Sequence, residues 1–360
     1  MDGLGFIPGS WSLVKGNSRS ARTAGRCQMS EVSPTSYRVN LGPLEVSPLG
    51  VGAWSWGDDF YWGKGDENDE KQAFDASLAG GINFFDTAEI YAIGESERRC
   101  GRFKRSYLRR KEVGEEGMVL ATKFGPLLPF RFSANSVVEA CKRSAERMGE
   151  DCIDLYQLHW PGLGLDERYW DGIAKCYEEG LIKAVGVSNY GPKRLVVVHE
   201  RLKERGIPLV SNQILYNLAY RRPEEELTEL CKSLDVKILA YSPLAQGLLV
   251  GKYTEENLPS GPRKGSMRSM LANGSELLAV LREVAENRDR TMAQVALNWV
   301  MCKGAIPIPG ARTKAQAEEN AGALGWTLDE SEIRALDDAS DVAGTIMRGL
   351  PMYEEIMVPK

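Results

Sequence analysis

Four side chains that could together transfer a proton and stabilise a charge follow consecutive apolar runs of the sequence. Asp86 lies near the end of the second apolar run, and Tyr91 comes just after that run. Lys123 stands near the end of the third run, and His159 stands near the end of the fourth. A free phenol, with a pKa of about 10, is a poor acid at neutral pH, and a nearby ammonium lowers that pKa. Lys123 can supply the ammonium, and Asp86 can keep it protonated by pairing with it. We therefore predict that Tyr91 donates a proton to a carbonyl oxygen as hydride reaches the carbon, while His159 orients that oxygen by a hydrogen bond.

Each of these residues taken singly also has a plainer structural interpretation. An Asp–Lys pair can be a structural salt bridge between strands, and a histidine at a strand end can be a polar residue whose hydrogen bonds are satisfied within the protein. Tyr91 can anchor a loop. The occurrence of all four at three adjacent strand ends favours catalysis. The other histidine, His199, follows Val196–Val198 on a predicted helix and is interpreted as surface structure.

The apolar runs alternate with longer charged stretches of helical spacing, which is typical of strand–helix units. Parallel strands that are buried on both faces read as nearly unbroken apolar runs. Eight such units predict an α/β fold, a (β/α)8 TIM barrel, whose active site lies at the carboxyl ends of the strands. An open doubly wound sheet is the alternative, but no Gly-x-Gly-x-x-Gly follows the first strand. The predicted strands are Val46–Trp54, Ile82–Ala88, Met118–Phe124, Ile153–Trp160, Ile182–Asn189, Leu209–Tyr216, Val236–Pro243 and Ala305–Ala311.

Several further elements are predicted around the barrel. Arg38–Leu41 and Leu44–Val46 can form an N-terminal hairpin over the barrel floor, and Leu258–Leu271 is predicted to be a long loop after strand seven. Two extra helices precede strand eight and one trails the barrel. The predicted helices are Asn68–Leu78, Ser136–Met148, Tyr169–Glu179, Pro192–Glu204, Pro223–Leu234, Ser275–Asn287, Met292–Cys302, Thr313–Leu324 and Asp329–Ala339.

Composition narrows the function classes. The 360-residue chain has 45 basic and 50 acidic residues, a balance that indicates neither a nucleic-acid partner nor an anionic membrane surface. Its seven cysteines are scattered and form no Cys-x-x-Cys pair, so we predict neither a disulfide framework nor a zinc site. No stretch reaches the roughly 18 apolar residues of a membrane helix.

The two ends of the chain differ from its centre. Residues 1–36 are rich in Ser and Arg and poor in acids, a composition typical of organelle transit peptides and also of unstructured tails. We therefore predict a leader at 1–36, a barrel domain at 37–342 and a C-terminal tail at 343–360.

The motifs in order resemble the aldo-keto reductase family. The resemblance rests on Asp-Thr-Ala-Glu-Ile-Tyr ending at Tyr91, Ala-Thr-Lys ending at Lys123, Leu-His-Trp-Pro around His159 and Val-Ser-Asn ending at Asn189, within residues 37–339. It implies that Asp86, Tyr91, Lys123 and His159 are a catalytic tetrad. It also implies NADPH-dependent reduction of an aldehyde or ketone to an alcohol by hydride transfer, acting on a small carbonyl substrate.

The resemblance further implies an NADPH site. Ser188, Asn189 and Gln213 are expected to hydrogen-bond the nicotinamide carboxamide, and Tyr241 to stack on the nicotinamide ring, although a core tyrosine is a compatible interpretation. A turn after strand seven suits the pyrophosphate, and Arg312 at a helix start suits a 2′-phosphate. The remaining residues of the implied site are Ser242, Pro243, Leu244, Gln246 and Gly247 at the pyrophosphate, with Gly310, Arg312, Gln316, Glu319 and Asn320 at the adenosine.

Two details of this implied site stay open. Gln316 stands where many members of the family have an arginine that grips the 2′-phosphate, so the preference for NADPH rests mainly on Arg312. Asp66 is the first candidate for the family's acid near the nicotinamide ribose, and Asp58 and Asp59 compete with it.

The stretches Gly42–Gly50, Trp54–Gly57 and Gly186–Pro192 resemble a plant plastid subgroup, some of whose members reduce pyridoxal. This favours a plastid transit segment at residues 1–36 and a chloroplast location, with the cytoplasm as the alternative. A second function class is also open, a cofactor-loaded regulatory protein of the channel-subunit type, because such proteins keep the tetrad. A barrel lyase or isomerase using the same lysine is disfavoured by the nicotinamide-type motifs.

Overall fold

A computed structural model describes residues 37–110, 117–126, 128–162, 164, 166–259, 261 and 263–346. The leader predicted at residues 1–36 lies outside the described residues, as do residues 347–360 of the predicted tail. No helix in the described ranges has the length and apolar character that crossing a membrane requires.

Eight parallel strands form the barrel, which confirms the predicted fold class. Each barrel strand pairs with the next barrel strand along the chain. The Gly52 amide donates to the Pro309 carbonyl at 2.9 Å and brings the first and last strands together. A side chain at Gly52 would meet the Ile308 carbonyl oxygen at 2.9 Å, so the closure requires glycine there. The barrel strands are β3 Gly50–Gly52, β4 Phe84–Asp86, β5 Val119–Phe124, β6 Ile153–Leu158, β7 Ile182–Ser188, β8 Leu209–Leu215, β9 Lys237–Tyr241 and β10 Ile306–Ile308.

Helices surround the strands, and most of them lie where the sequence predicts. The two extra helices before β10 have the predicted bounds, and the trailing helix is capped by Asp329 as its position suggests. The helices are α1 Glu67–Ala79, α2 Glu95–Arg110, α3 Ala134–Met148, α4 Asp166–Glu178, α5 Pro192–Lys203, α6 Leu227–Ser233, α7 Arg263–Asn273, α8 Ser275–Asn287, α9 Met292–Cys302, α10 Lys314–Ala321 and α11 Glu330–Ala343.

Two of these helices correct the sequence-based expectations. Helix α2 was not predicted, because its inner face buries polar Glu97 and Lys104 beside Cys100 and Phe103, which leaves few large apolar residues to mark the buried side. The segment predicted as a loop at Leu258–Leu271 contains most of α7, which has only two buried anchors, Met267 and Met270.

The predicted hairpin closes the amino-terminal end of the barrel. Strands β1 (Val39–Leu41) and β2 (Leu44–Val46) pair antiparallel, and their buried leucines pack on Val210 and the other inward residues of the barrel. Asn83 ties the hairpin to the barrel, accepting from the Ser47 amide at 2.6 Å and donating to the Glu45 carbonyl at 3.0 Å. Since this end is filled with apolar side chains, the polar strand ends on the opposite side are free to form a site.

The contact between α2 and α3 yields a stability prediction. A Cβ at Gly101 would lie 1.9 Å from the Met148 carbonyl oxygen, so Gly101→Ala forces two backbones apart and should lower the free energy of unfolding by about 1–3 kcal/mol. Gly265 on α7 is exposed, with nothing within 4 Å of an added Cβ, so Gly265→Ala should raise it by roughly 0.5–1 kcal/mol. Urea unfolding of both variants measures the difference. Equal effects would show that α2 and α3 do not meet at Gly101.

Candidate active site

The four candidate catalytic residues converge at the carboxyl ends of three neighbouring strands. Asp86 ends β4, Lys123 lies in β5, and His159 follows β6. Tyr91 begins a short 3-10 turn after β4. The barrel register brings Asp86 beside β5, which places its carboxylate next to the lysine.

The Lys123 ammonium is fully buried and is surrounded by oxygen atoms. It donates to a carboxylate oxygen of Asp86, to the Thr87 carbonyl at 2.8 Å, and to the Tyr91 hydroxyl at 3.3 Å. A buried charge is tolerated when it is paired and hydrogen-bonded in this way. The ammonium is thereby held between the carboxylate of Asp86 and the phenol of Tyr91.

Two glutamines support the Asp86 carboxylate. Gln157 and Gln213 each donate a side-chain N–H to its second oxygen at 2.9 Å. Both oxygens of the Asp86 carboxylate are therefore hydrogen-bonded, one to Lys123 and the other to the glutamines. Gln213, which was predicted to bind the nicotinamide carboxamide, lines the cavity and also donates its side-chain N–H to Asp86. Gln157 was not predicted, although a glutamine inside an apolar strand run is a signal that could have identified it.

The protonation states differ in one respect from the sequence-based expectation. Burial, with a contribution from the Asp86 carboxylate, raises the pKa of Tyr91 well above its usual value, so the predicted lowering of this pKa is wrong. Burial and the nearby Lys123 charge lower the pKa of His159 well below its usual value. Burial lowers the pKa of Lys123 as well, against the opposing effect of Asp86. At neutral pH the site therefore presents a protonated phenol and a neutral imidazole.

His159 is fixed by aromatic contacts. Its ring stacks on Trp160 with centroids 3.7 Å apart, and its edge meets the Tyr91 ring at a centroid distance of 5.7 Å. The Nδ1 atom is buried and has no hydrogen-bond partner among the described residues. The imidazole therefore has an unused polar atom at a cavity wall.

A cavity of about 710 Å³ opens beside the tetrad. Asp86, Tyr91 and His159 line it, whereas Lys123 lies behind them. Every predicted cofactor residue also lines this cavity, namely Ser188, Asn189, Gln213, Tyr241, Ser242, Pro243, Leu244, Gln246, Gly247, Gly310, Arg312, Gln316, Glu319 and Asn320.

The wall nearest His159 is built by an asparagine in an unusual conformation. Asn189 has a φ of 64° and donates from its side chain to the His159 carbonyl at 3.0 Å. Its side-chain oxygen accepts from the Tyr241 hydroxyl at 3.1 Å, and the Ser188 hydroxyl donates to the Gln213 carbonyl at 2.9 Å. These bonds hold the predicted nicotinamide-binding residues in one rigid group.

The predicted pyrophosphate turn follows β9 and has a strained backbone. Ser242, Ala245 and Gln246 have positive φ values of 50°, 47° and 56°, and Gly247 has a φ of 101°. Positive φ in non-glycine residues is uncommon and concentrates at functional sites. The amides of Ala245 and Gly247 donate to the carbonyls of Ser242 and Leu244, and these bonds hold the turn in this shape.

The adenosine end is organised by Arg312, just before α10. Its guanidinium donates to the Trp62 carbonyl at 2.7 Å and the Gly63 carbonyl at 2.8 Å, and its own amide donates to the Gln316 side chain at 2.7 Å. A guanidinium has five N–H donors, so these contacts leave others for an anion. Lys252 and Arg263 also line the cavity and were not predicted.

Two contacts cross the cavity and join the loop after β3 to the segment after β9. The Tyr61 hydroxyl donates to the Gln246 side chain at 3.2 Å, and the Arg263 guanidinium lies 4.8 Å over the Trp62 ring. The side-chain nitrogen of Trp62 and Nε of Arg263 are buried without a partner in the described ranges. Trp62 and Arg263 both line the cavity, so their unpartnered nitrogens lie within its wall.

The three aspartates that are candidates for the ribose site differ in their surroundings. Asp66 caps α1 by accepting from the Asn68 and Asp69 amides, and it does not line the cavity. Asp59 accepts from the Gly65 amide at 3.1 Å, and only Asp58 of the three candidates lines the cavity. The first choice from the sequence, Asp66, is therefore wrong.

Comparisons of the sequence and the structure with known proteins all point to one family. The model of the Aldo/keto reductase family matches residues 48–341. A chloroplastic pyridoxal reductase of Arabidopsis thaliana is 42% identical over 314 residues, covering 84% of this chain and 86% of the relative. An aldo-keto reductase of Bacillus subtilis is 31% identical, covering 87% and 97%. The crystal structure of a Klebsiella pneumoniae aldo-keto reductase in complex with NADPH matches with a TM-score of 0.64 and 28% identity, over 82% of this chain and 91% of that one.

The position of Arg312 generates a prediction on cofactor choice. A 2′-phosphate gains charge-assisted hydrogen bonds from a guanidinium, each worth roughly 1.5–3 kcal/mol. Arg312→Ala should therefore weaken NADPH binding by at least about tenfold and NADH binding far less. Fluorescence titration measures both affinities. Arg290→Ala, which removes a guanidinium stacked on Trp326 outside the cavity, is the matched control. Equal weakening of the two cofactors by Arg312→Ala would contradict the assignment.

Proposed function

Because the chain belongs to the aldo/keto reductase family, we propose that it reduces pyridoxal or another small planar aldehyde to the corresponding alcohol. The general activity follows from membership of the family: the chain is an NADPH-dependent oxidoreductase that reduces carbonyl compounds. The relatives compared above bear the names of reductases, which gives no support to the alternative of a channel-type regulatory subunit.

One observation carries the proposed mechanism, the Lys123 ammonium in contact with both Asp86 and the Tyr91 hydroxyl. NADPH, when held by the cavity walls, would supply the hydride for the carbonyl carbon. As negative charge develops on the carbonyl oxygen, Tyr91 donates its phenolic proton to that oxygen, and the O–H bond of the alcohol forms. The ammonium of Lys123 then stabilises the phenolate left behind.

The raised pKa of Tyr91 fits this role in the resting enzyme. A phenol that keeps its proton at neutral pH is available as an acid at every turnover, and a developing alkoxide is a far stronger base than a phenolate. His159 is neutral, so its ring can donate a hydrogen bond to the same oxygen without adding charge. Asp86, supported by two glutamines, keeps the ammonium charged.

The proposed cofactor contacts use the cavity walls. Ser188, Asn189 and Gln213 would hold the carboxamide of NADPH, Tyr241 would stack on its nicotinamide ring, and Asp58 would bind its ribose. The remaining wall would hold the pyrophosphate and the adenosine through Ser242, Pro243, Leu244, Gln246, Gly247, Gly310, Arg312, Gln316, Glu319 and Asn320.

The aromatic wall beside the tetrad supports a planar substrate. Trp54 stacks near Tyr91 at a centroid distance of 6.1 Å and meets Trp62 edge-on at 5.3 Å, and Trp160 lies on the far side of His159. All four line the cavity with Tyr91. A flat heteroaromatic aldehyde can stack against such walls while its carbonyl reaches the phenol.

A plastid location is part of the same proposal. It rests on the composition of residues 1–36 and on the chloroplastic relative. The domain division at residues 37–342, with a leader before it and a tail after it, remains a prediction.

Substrate choice is tested by NADPH oxidation with pyridoxal, 4-nitrobenzaldehyde and methylglyoxal. We expect pyridoxal to give the highest kcat/KM. Trp54→Leu should raise KM for the two aromatic aldehydes by roughly two- to tenfold, the worth of one aromatic contact. Methylglyoxal has no ring and is the control substrate, so its KM should change little. A uniform rise in all three KM values would contradict the aromatic subsite, and failure to reduce pyridoxal would overturn the substrate proposal.

The proton donor is tested separately by Tyr91→Phe, which removes one hydroxyl and keeps the ring. Loss of a general acid should slow single-turnover NADPH oxidation by about 10²–10⁴ while NADPH affinity stays unchanged. Tyr216→Phe deletes a hydroxyl bonded to Glu224 outside the cavity and should keep the parent rate. If Tyr91→Phe also keeps the parent rate, Tyr91 is not the acid.

A further inference from the structure

The turn that carries Tyr91 has an unfavourable backbone. Ala92, Ile93 and Gly94 follow it with positive φ values of 46°, 54° and 80°. Each non-glycine residue in this region costs roughly 1–2 kcal/mol, and such backbone persists only where the surrounding structure holds it. The contacts that hold this turn therefore also determine where the Tyr91 hydroxyl lies.

On one side the turn is held by Glu89, two residues before Tyr91. Its buried carboxylate accepts from the Gly125 amide at 2.7 Å and from both terminal nitrogens of Arg131, at 3.1 and 2.8 Å. Gly125 comes two residues after Lys123. Glu89 thus ties the loop of the phenol to the strand end of the ammonium.

On the other side the turn rests on Arg147 of α3. A Cβ at Gly94 would lie 2.7 Å from Cδ of Arg147, so the side-chain stem packs directly against the glycine. The guanidinium pairs with Glu97 at 2.5 Å and lies 4.0 Å from Glu89.

Glu97 extends the contact to β5. Its fully buried carboxylate accepts from the Thr122 hydroxyl at 2.6 Å, and Thr122 is the chain neighbour of Lys123. Both sides of the turn are therefore linked to the strand that carries the ammonium.

Stability alone does not account for this cluster. The exposed fractions of the side chains of Glu89, Glu97, Arg131 and Arg147 are 4%, 0%, 10% and 18%, so four charges are largely removed from water. Buried ion pairs often stabilise no more than well-packed apolar residues of similar volume. Bidentate guanidinium contacts, however, impose direction on their partners.

We propose that Glu89, Arg131, Arg147 and Glu97 are positioning residues that fix the phenol of Tyr91 against the Lys123 ammonium. None of the four lines the cavity, so they act only through Tyr91 and its turn. The inference rests on the proposed function, in which Tyr91 is the proton donor. A displacement of about 1 Å at a reacting group can slow a reaction by on the order of 10²-fold.

Glu89→Gln tests the cluster, because it keeps the shape and one acceptor but removes the charge that Arg131 binds. Single-turnover NADPH oxidation should slow by about 10- to 100-fold, with NADPH affinity and substrate KM unchanged. In a Tyr91→Phe background the same substitution should cause no further loss, since the group that it positions is gone. A double-mutant cycle measures this dependence.

Glu150→Gln is the matched control. It removes the partner of Lys104, an ion pair of 2.8 Å that is also shielded from water but does not touch the turn. We expect it to keep the parent rate in both backgrounds, whatever it does to the melting temperature.

The outcomes separate the two proposals. If Tyr91→Phe keeps the parent rate, the proton-donor role fails. If Tyr91→Phe is slow and Glu89→Gln is either fully active or multiplies the loss, the positioning role alone fails. If Glu89→Gln does not bind NADPH, Arg147→Lys, which keeps the charge and most of the stem, takes its place in the cycle. Loss of NADPH binding in both variants would make the cluster a folding element and overturn the proposal.

Discussion

The buried ammonium of Lys123 is the constraint on which the rest of the site depends. Removing a charge from water costs several kcal/mol even after the protein relaxes, so the surrounding chain must supply oxygen atoms in fixed positions. Asp86, the Thr87 carbonyl and the Tyr91 hydroxyl supply them. Two glutamines then saturate the second carboxylate oxygen. One buried charge thus dictates the polar residues on three strands, and the apolar filling is confined to the hairpin end of the barrel.

The conformational strain of the described chain is concentrated in the loops on the same face of the barrel as that charge. Seven of the nine described non-glycine residues with positive φ lie in loops that leave the carboxyl ends of strands β4, β5, β7 and β9. Strain there is tolerated because the barrel below is closed and rigidly packed, so the loops are held at both ends. The strained positions are Ala92, Ile93, Phe130, Asn189, Ser242, Ala245 and Gln246.

The sequence predicts the structural elements that depend on the hydrophobic pattern. It does not predict the features that depend on how deeply a polar side chain is buried. The barrel strands were predicted within a few residues because strands buried on both faces are apolar without interruption. Helix α2 was missed because it buries polar side chains against the barrel. The predicted direction of the Tyr91 pKa shift was wrong because the motif indicates a neighbouring ammonium but not the removal of the phenol from water, which raises the pKa. Glu89 lies inside the recognised motif, yet its partner Arg131 is 42 residues away, a pairing that no local pattern contains.

The cavity walls are unlike the rest of the interior in one further respect. Buried polar atoms without a partner are rare in folded proteins, and each costs about 1–3 kcal/mol. Of the seven such side-chain atoms in the described ranges, four belong to residues that line this one cavity, Ser55, Trp62, His159 and Arg263. The charges of the tetrad are satisfied within the protein, whereas these four residues of the cavity wall each keep a buried polar atom that no other described residue binds. Hydrogen bonding is therefore complete around the buried Lys123 and incomplete around the cavity, so a ligand that supplied partners there would not compete with those of the ammonium.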